Sequence, residues 1–234
     1  MSRSTSRVLE VAHLTSLQIE EMFALMLESY EGVLRNTFVR DLQQKDFVLL
    51  LEQGQEIIGF TTIQTYTEIW KQKICHIVFS GDTIVKASFR HNPLIWMSFG
   101  RWMLEYSYGK NLFWFLISKS FRTYRYLIQN FKEFYPSIQG QDLEMKGLAT
   151  KLAKNKYPHQ FDEKTMVIKA KVGSQYLKHD QQPHYRASDQ EIYYYEMNPG
   201  FMAGDELVCL THFREGNLQE RILERLKLNQ AVSV

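Results

Sequence analysis

Three polar residues, His76, Ser80 and Asp82, recur at even spacing within the predicted strand KICHIVFSGDTIV (73–85). Successive side chains of a strand point to opposite faces, so this spacing places all three on one face unless a bulge intervenes. Imidazole titrates near neutral pH, which makes His76 the best candidate for a general base. Asp82 lies nearer the end of the strand, where it could orient a water molecule or an amine. A hydrogen-bonded structural histidine, and an aspartate that shapes a turn after Gly81, are the alternatives.

The segment that follows this strand, KASFRHNP (86–93), precedes a predicted helix over 94–108. Free N–H groups and the dipole at a helix N-terminus attract anions, phosphate above all. Pro93 suits the first helical position but removes one N–H donor. Four side chains of the segment add positive charge or hydrogen-bond donors, namely Lys86, Arg90, His91 and Asn92.

A second predicted helix, over 120–135, carries Tyr124 and Tyr126. Both are candidate general acids, and both could equally be core tyrosines with exposed hydroxyl groups. Lysines and arginines also cluster on and just before this helix, where they could contact the phosphate of a coenzyme or form a solvated surface. These basic residues are Lys119, Arg122, Arg125 and Lys132.

Near the C-terminus, Asn198-Pro199-Gly200 and Gly204-Asp205 are typical turn sequences. The alternative for Asp205, and for Glu206 beside it, is contact with the amine of a bound ligand.

Other chemistries lack their motifs. The sequence contains no G-x-S-x-G elbow and no P-loop. Cys209-x-x-His212 has no partner pair, and Cys75 and His76 point to opposite faces of their strand, so no metal site is expected. Two distant cysteines form no disulfide framework and indicate a reducing compartment.

The bulk composition is that of a globular protein that binds neither nucleic acid nor an anionic membrane. Among 234 residues, 28 Lys and Arg stand against 26 Asp and Glu, which gives a net charge of +2. The N-terminus lacks an apolar segment, so no signal peptide is expected. The most apolar stretch, 93–117, is interrupted by Arg101, Glu105 and Lys110, so it is not expected to span a membrane. We therefore expect a cytoplasmic protein.

The hydrophobic periodicity predicts alternating helices and strands. A helix over 15–30 has Ile19, Met22, Phe23, Met26 and Leu27 on one stripe. The remaining predictions are strands at 47–53 and 57–69 joined at Gly54, a buried strand at 112–118, a helix near 142–156, a strand at 165–172, a polar loop at 178–190, a strand at 206–213 and a helix at 217–228. A Gly/Gln-rich interruption near residue 140 predicts a core over 1–140 and a C-terminal extension over 141–234 that packs on it.

The order of these elements, and one motif, resemble the GNAT N-acyltransferases. The family runs a pattern like V-x-P-x-Y-R-G-x-G-x-G from its third strand into a helix, and Val85, Phe89 and Arg90 match it in register. The three glycines are replaced, by His91, Pro93 and Ile95. The resemblance implies an α/β fold with a GNAT-like mixed, mostly antiparallel sheet flanked by helices, followed by a C-terminal α+β extension.

A second resemblance covers roughly residues 55–212. The phrases SGDTIV (80–85), FWFLISKSFRTYRYLIQNFKEFYP (113–136) and NPGFMAGDELVCL (198–210) are similar to those of a bacterial group of GNAT-like proteins. Some GNAT-like enzymes of natural-product pathways attach fatty acyl groups to peptide amines. The apolar predicted helix, with Trp96 and Phe99, could accordingly line a tunnel for a long acyl chain, or simply pack on the sheet.

Together these resemblances imply direct acyl transfer from coenzyme A or an acyl-carrier-protein thioester to an amine of a small molecule or peptide. They imply a base among His76 and Asp82 and an acid at Tyr124, about one turn before the family's position near Leu127. The residues implied for the thioester donor are Ile84, Val85, Phe89, Arg90, His91, Asn92, Leu94 and Lys119. The alternative is a non-catalytic GNAT-like module that binds an acyl thioester, a peptide or a protein partner.

Overall fold

A computed structural model of the chain describes residues 4–90, 92–140, 142–171, 176–178 and 188–228. The strands in this part of the chain are β1 (Ser4–Glu10), β2 (Tyr30–Glu31), β3 (Phe47–Gln53), β4 (Glu56–Trp70), β5 (Lys73–Val85), β6 (Leu112–Ser118), β7 (Phe161–Asp162), β8 (Val167–Ile168), β9 (Tyr176–Leu177) and β10 (Glu206–His212). Eight of them form one sheet in the order β1-β3-β4-β5-β6-β10-β8-β7, while β2 pairs with β9. Only β5 and β6 are parallel neighbours in the main sheet, so the predicted mixed, mostly antiparallel sheet is confirmed.

Helices cover both faces of the main sheet. They are α1 (Ser16–Ser29), α2 (Arg35–Leu42), α3 (Leu94–Tyr106), α4 (Phe121–Asn130), α5 (Leu143–Lys156), α6 (Asp189–Met197) and α7 (Glu220–Leu228). One core forms where α3, α4, α6 and α7 pack on the sheet, and it contains most of the buried aromatic residues. On the opposite face, α1 and α2 cover one end and α5 covers the other. None of the described helices is long and apolar enough to cross a membrane.

The first helix shows how local sequence sets its ends. Thr15 accepts a hydrogen bond from the Gln18 backbone, and the Gln18 side chain accepts one from the Thr15 N–H, which forms a complete capping box. The predicted stripe is confirmed at Met22 and Met26, which are buried. It is wrong at Leu27, which is 44% exposed, because Leu25 takes the buried position instead.

The helix predicted over 120–135 is shorter than expected. It ends at Asn130, and Phe131 adopts extended backbone angles of −121° and 150°. From there the chain is held by partners distant in sequence, because the Lys132 N–H donates to the Asn217 carbonyl and Tyr135 exchanges backbone hydrogen bonds with β10. These tertiary contacts end the helix although the helical periodicity continues, because periodicity reflects only the local sequence.

The region after residue 140 also departs from its prediction in detail. The strand expected at 165–172 is only β8, Val167–Ile168. Helix α6 covers 189–197, of which 189–190 were predicted as loop and 191–197 were left unassigned by the periodicity. Ser188 accepts a hydrogen bond from the Glu191 N–H at its start. Most of the predicted polar loop, 179–187, lies outside the described residues.

The feature that matters most for function is the divergence of β5 and β6. Their parallel ladder runs from the pair His76–Leu112 to the pair Ser80–Leu116 and ends there. Strand β5 continues to Val85, paired with β4 alone. The backbone edge of β5 beyond Ser80 therefore faces an opening in the sheet rather than a neighbouring strand.

Candidate active site

A cavity of about 540 Å³ fills the opening between β5 and β6. Its lining reaches both faces of the sheet, from Trp96 and Phe99 of α3 to Asp41 of α2 and Tyr157 after α5. Among the described lining residues, six side chains are cationic and three are carboxylates. The cations are Lys45, Arg90, Lys119, Arg122, Lys169 and Lys171, and the carboxylates are Asp41, Asp82 and Glu206.

A bulge in β5 shapes one wall of this cavity. Gly81 and Asp82 together lie opposite the single residue Thr62 of β4, because the register shifts by one residue between the two flanking pairs. Before the bulge, Ser80 accepts a hydrogen bond of 2.9 Å from the Trp114 indole on the α3 face. After it, Ile84 packs in the core on the α1 face, so the alternation of faces is inverted. Asp82 lines the cavity. The bulge breaks the alternation after Ser80, so the face predicted to hold His76, Ser80 and Asp82 does not continue to Asp82.

Glu206, the first residue of β10, is the carboxylate whose surroundings are most clearly defined. Its side chain is only 20% exposed, and its Oε1 lies 3.6 Å from the Lys119 Nζ. Burial raises the pKa of this carboxyl above its ordinary value, and the negative charge of Asp82 adds to the rise, while Lys119 opposes it. A carboxylate with a raised pKa inside a cavity is a good candidate for a general base.

Tyr30 stands beside the same charges. Burial raises the pKa of its phenol, as do the negative charges of Asp82 and Glu206, while Arg122 acts in the opposite direction. The Lys119 ammonium lies 5.4 Å from the centre of the Tyr30 ring. The phenol therefore stays protonated at neutral pH and is available as a hydrogen-bond donor in the cavity.

A second charged cluster lies towards α2 and α5. The Lys45 Nζ donates to Asp41 Oδ2 at 2.6 Å, although the Lys45 side chain is only 2% exposed. Lys156 donates to Gln64 Oε1 at 2.6 Å. Burial lowers the pKa of Lys156 to about 8, and the positive charge of Lys45 contributes, while Asp41 opposes the shift. Both ammonium groups lie near the Phe79 ring, at 5.9 Å and 4.2 Å from its centre.

The wall on the other side of the sheet is aromatic. Trp96 stacks between Trp114, at 5.7 Å between ring centres, and Tyr126, at 5.6 Å. Phe99 meets Trp114 edge-on at 5.4 Å. Of the apolar helix considered as an acyl tunnel, Trp96 and Phe99 reach the cavity, whereas Met103 is fully buried in the core.

Five of the residues predicted either to catalyse the reaction or to bind the thioester donor lie at the cavity. They are Asp82, Ile84, Val85, Arg90 and Lys119. Arg90 is anchored by a hydrogen bond from its Nε to the Val85 carbonyl, and Lys119 by its contact with Glu206. Asp82, Ile84 and Val85 belong to β5, whereas Arg90 follows β5 and Lys119 follows β6. The divergence of the two strands brings these residues to one opening.

His76 lies elsewhere. It pairs with Leu112 at the start of the β5–β6 ladder, six residues before Asp82. At about 3.3 Å per residue, this separation amounts to ~20 Å along the strand. The cavity begins at the other end of the ladder, so the catalytic role of His76 stays a prediction that this geometry does not support.

Tyr124 does not line the cavity either. Its side chain is fully buried, and its hydroxyl donates to the Pro136 carbonyl at 2.8 Å. Burial raises the pKa of the phenol strongly. Its catalytic role likewise stays a prediction, and its neighbour Tyr126 is the tyrosine of α4 that lines the cavity.

The other residues predicted to bind the thioester donor contact other parts of the protein instead. The Asn92 side chain accepts a hydrogen bond from the Leu94 N–H, which occupies one of the free donors at the start of α3. Phe89 and Leu94 are partly buried against the core. Lys86 forms an ion pair with Glu56. His91 lies outside the described residues.

The turn reading of the C-terminal motifs fits the contacts of Asp205. Its Oδ2 accepts from Lys169 Nζ at 2.8 Å and its Oδ1 from the Ala170 N–H at 2.9 Å. Asn198 donates to the Asp205 carbonyl, and Gly200 packs so closely on the Asp205 carboxylate that a Cβ would collide with it. Asp205 thus fixes the loop that leads into Glu206.

Sequence reasoning missed Tyr30, Lys45 and Tyr157 and gave Glu206 only a secondary role. Nothing local distinguishes these residues, since they come from four different parts of the chain.

Within the described residues, no group of three His, Cys, Asp or Glu side chains is placed to hold a metal ion. Cys209 is buried in β10, and this burial raises the pKa of its thiol.

No protein-family model matches the chain, and no curated protein is significantly similar to it. Solved structures match about half of it. A probable N-acyltransferase from Enterococcus faecalis is 14% identical over 56% of this chain and 33% of its own, with a TM-score of 0.43. A GCN5-related N-acetyltransferase from Kribbella flavida is 19% identical over 56% of this chain and 34% of its own, with a TM-score of 0.40.

A GNAT-family N-acetyltransferase from Escherichia coli, in complex with CoA, is 15% identical over 54% of this chain and 68% of its own, with a TM-score of 0.41. The matched region thus spans about a third of the length of the first two proteins. Because the sequence identities and TM-scores are low, these matches carry no argument about the chemistry, which rests on the residues of the cavity.

Proposed function

We propose that this protein transfers an acyl group from a thioester of coenzyme A or an acyl-carrier protein to an amine, within the cavity between β5 and β6. One observation carries the proposal: a deep opening between diverging parallel strands joins an aromatic wall with an arginine at its edge to a buried carboxylate with a raised pKa. The resemblance of the 73–95 region to GNAT N-acyltransferases supports the same chemistry.

The thioester donor would occupy the opening along β5. Beyond Ser80, β5 has no pairing with β6 among the described residues, so its backbone can pair with the amides of an extended pantetheine arm, as an added strand pairs with a sheet edge. Arg90, after β5, and Arg122, at the start of α4, supply positive charge for phosphate groups. Trp96 and Phe99 offer apolar surface to the acyl group.

The acceptor amine would approach Glu206 from the other side of the sheet. Glu206 takes a proton from the ammonium group, the free amine attacks the thioester carbonyl, and the bond to sulfur breaks to release an amide and a thiol. Backbone N–H groups along β5 are suited to stabilise the oxyanion. Tyr126 is suited to protonate the departing thiolate, because its phenol lines the cavity.

The decisive experiment measures thiol release and product mass with a panel of acyl-CoA and acyl-carrier-protein donors and simple amines. Glu206→Gln should lower kcat by roughly 100-fold or more, the usual contribution of a general base. The variant should still bind the donor, seen as a donor-dependent rise in Tm. Glu215→Gln, at an exposed ion pair with Lys227, is the matched control and should retain activity.

The pH profile gives a second test. Glu206 acts as a base only when ionised, and burial raises its pKa above the ordinary value of 4.5. The rate should therefore fall on the acid side at a pH above that value, and this limb should disappear in Glu206→Gln. Absence of thiol release with every donor and amine, or full activity of Glu206→Gln, would refute the proposal.

A further inference from the structure

The cluster of Lys45, Lys156 and Asp41 plays no part in the acyl transfer proposed above. Lys45 lines the cavity and is almost fully buried, and Lys156 lies behind it on α5. Both ammonium groups lie within 6 Å of the centre of the Phe79 ring, which also lines the cavity. A buried ammonium group and a half-buried one thus lie beside the same ring on the acceptor side of the sheet.

Their charges are only partly compensated by the described residues around them. Asp41 pairs with Lys45 at 2.6 Å, but its side chain is 47% exposed, so much of its charge is turned to solvent. The partner of Lys156 is the neutral amide oxygen of Gln64. Burying like charges together is unfavourable unless an opposite charge joins them. The mutual effect appears in Lys156, whose pKa the charge of Lys45 helps to lower.

This cationic spot lies on the same side as the carboxylates proposed to receive the amine. Asp41, Lys45 and Glu206 all line the same cavity, and the charge of Asp41 acts on both Lys156 and Glu206. Tyr157, next to Lys156 in sequence, is affected by the charges of Glu206, Asp41 and Asp82. The acceptor side therefore has an anionic end at Glu206 and a cationic end at Lys45 and Lys156.

Resting on the proposed acyl transfer, we propose that the acceptor is an amine that also carries a carboxylate, with the ammonium at Glu206 and the carboxylate at Lys45 and Lys156. The class that fits is an amino acid, or a similar small zwitterion, rather than a polyamine. Lys45 uses one N–H on the Asp41 carboxylate and one on the Asp41 carbonyl, at 3.2 Å, so one remains for a ligand. Lys156 donates to Gln64 behind the cavity wall and adds its charge to the attraction for a carboxylate at Lys45.

The test compares an amino acid with its amide, over several side chains, as acceptors for the full-length protein. Rates are expressed per ammonium form of the acceptor, since this is the form that the proposal places at Glu206. A charge-assisted hydrogen bond contributes about 1.5–3 kcal/mol, which corresponds to ~10- to 100-fold. We expect kcat/KM to favour the amino acid by at least this lower factor.

Substitution then links the preference to the lysines. Lys45→Met and Lys156→Met should each raise KM for the amino acid about 10-fold and change KM for the amide less than about 3-fold. Lys154→Met is the matched control, because Lys154 lies on the same helix in an exposed ion pair with Glu163. It should leave both acceptors unaffected. A thermal melt of each variant confirms that the fold is intact.

The outcomes separate the two proposals. Equal kcat/KM for amino acids and amides, with robust thiol release, would overturn the zwitterionic acceptor and leave acyl transfer standing. Absence of thiol release with any amine would refute acyl transfer. In that case calorimetric binding of amino acids, lost in Lys45→Met and retained in Lys154→Met, would still support the carboxylate site, and no such binding would overturn it.

Discussion

At the scale of single residues, Tyr124 and Tyr126 show how two neighbouring side chains on one helix acquire different roles. Residues two apart on a helix do not share a face. Tyr124 turns inward and donates its hydroxyl to the Pro136 carbonyl, whereas Tyr126 lines the cavity and stacks on Trp96. The first position serves the fold, and the second is available to chemistry.

This contrast predicts opposite phenotypes for two conservative variants. Tyr124→Phe should lower the free energy of unfolding by about 1–3 kcal/mol, because the buried Pro136 carbonyl loses its donor, and kcat should be retained. Tyr126→Phe should lower kcat by ~100-fold, the scale of a general acid, with stability nearly unchanged. Urea denaturation and the thiol-release assay measure both quantities. A kcat loss in Tyr124→Phe without destabilisation would instead support the acid predicted from sequence.

His76 was chosen from the sequence for its intrinsic pKa, a value that takes no account of residues elsewhere in the chain. The structure shows the limit of that criterion. Glu206 has an unremarkable pKa in water, but burial and the charge of Asp82 raise it. Such a shift depends on residues far apart in the chain, so the sequence could name Asp82 and Lys119 as candidates but could not single out Glu206.

At the scale of elements, the bulge in β5 controls which side chains reach the cavity. The bounds of the two strands beside the cavity were accessible to sequence, since β5 and β6 have the predicted bounds, 73–85 and 112–118. A bulge adds one residue without changing the hydrophobic pattern enough to be seen. Gly81 permits it, because a Cβ there would collide with the Thr62 hydroxyl and approach Lys45 Cε to 2.9 Å.

Gly81→Ala should therefore lower the free energy of unfolding by about 1–3 kcal/mol through overpacking. Within the described part of the chain, the buried Thr62 hydroxyl has no hydrogen-bond partner, so Thr62→Ala removes the obstacle at little cost. The double variant should be more stable than the sum of the single effects by roughly 0.5–3 kcal/mol.

Gly216→Ala is the control for this cycle, because nothing lies within 4 Å of the added Cβ. Its effect should stay within about 0.5 kcal/mol. Urea denaturation of the four proteins gives the coupling energy directly. Strict additivity of Gly81→Ala and Thr62→Ala would mean that the bulge does not depend on this close contact.

At the scale of the whole molecule, the sheet runs without a break across the boundary predicted near residue 140. β10 pairs with β6 from Leu207–Ser118 to His212–Phe113, and β8 and β7 follow beyond it. Glu206 enters the cavity from this later part of the chain. Sequence periodicity assigned most of these elements but gave no sign of their place in the sheet, because strand pairing at long range leaves no local pattern.

This topology predicts that residues 1–140 do not fold alone. Without β10 and α5, the β6 edge and the fully buried Phe115 would face water, together with Ile77 of β5. Each large apolar side chain so exposed costs about 1.5–3 kcal/mol, and a few of them match the entire stability of a typical domain. A chain ending at Leu228 keeps every described element, and we expect it to unfold cooperatively, as we expect of the 234-residue chain. The fragment 1–140 should show no sigmoidal urea transition by circular dichroism, and a cooperative transition in that fragment would instead establish it as an independent domain.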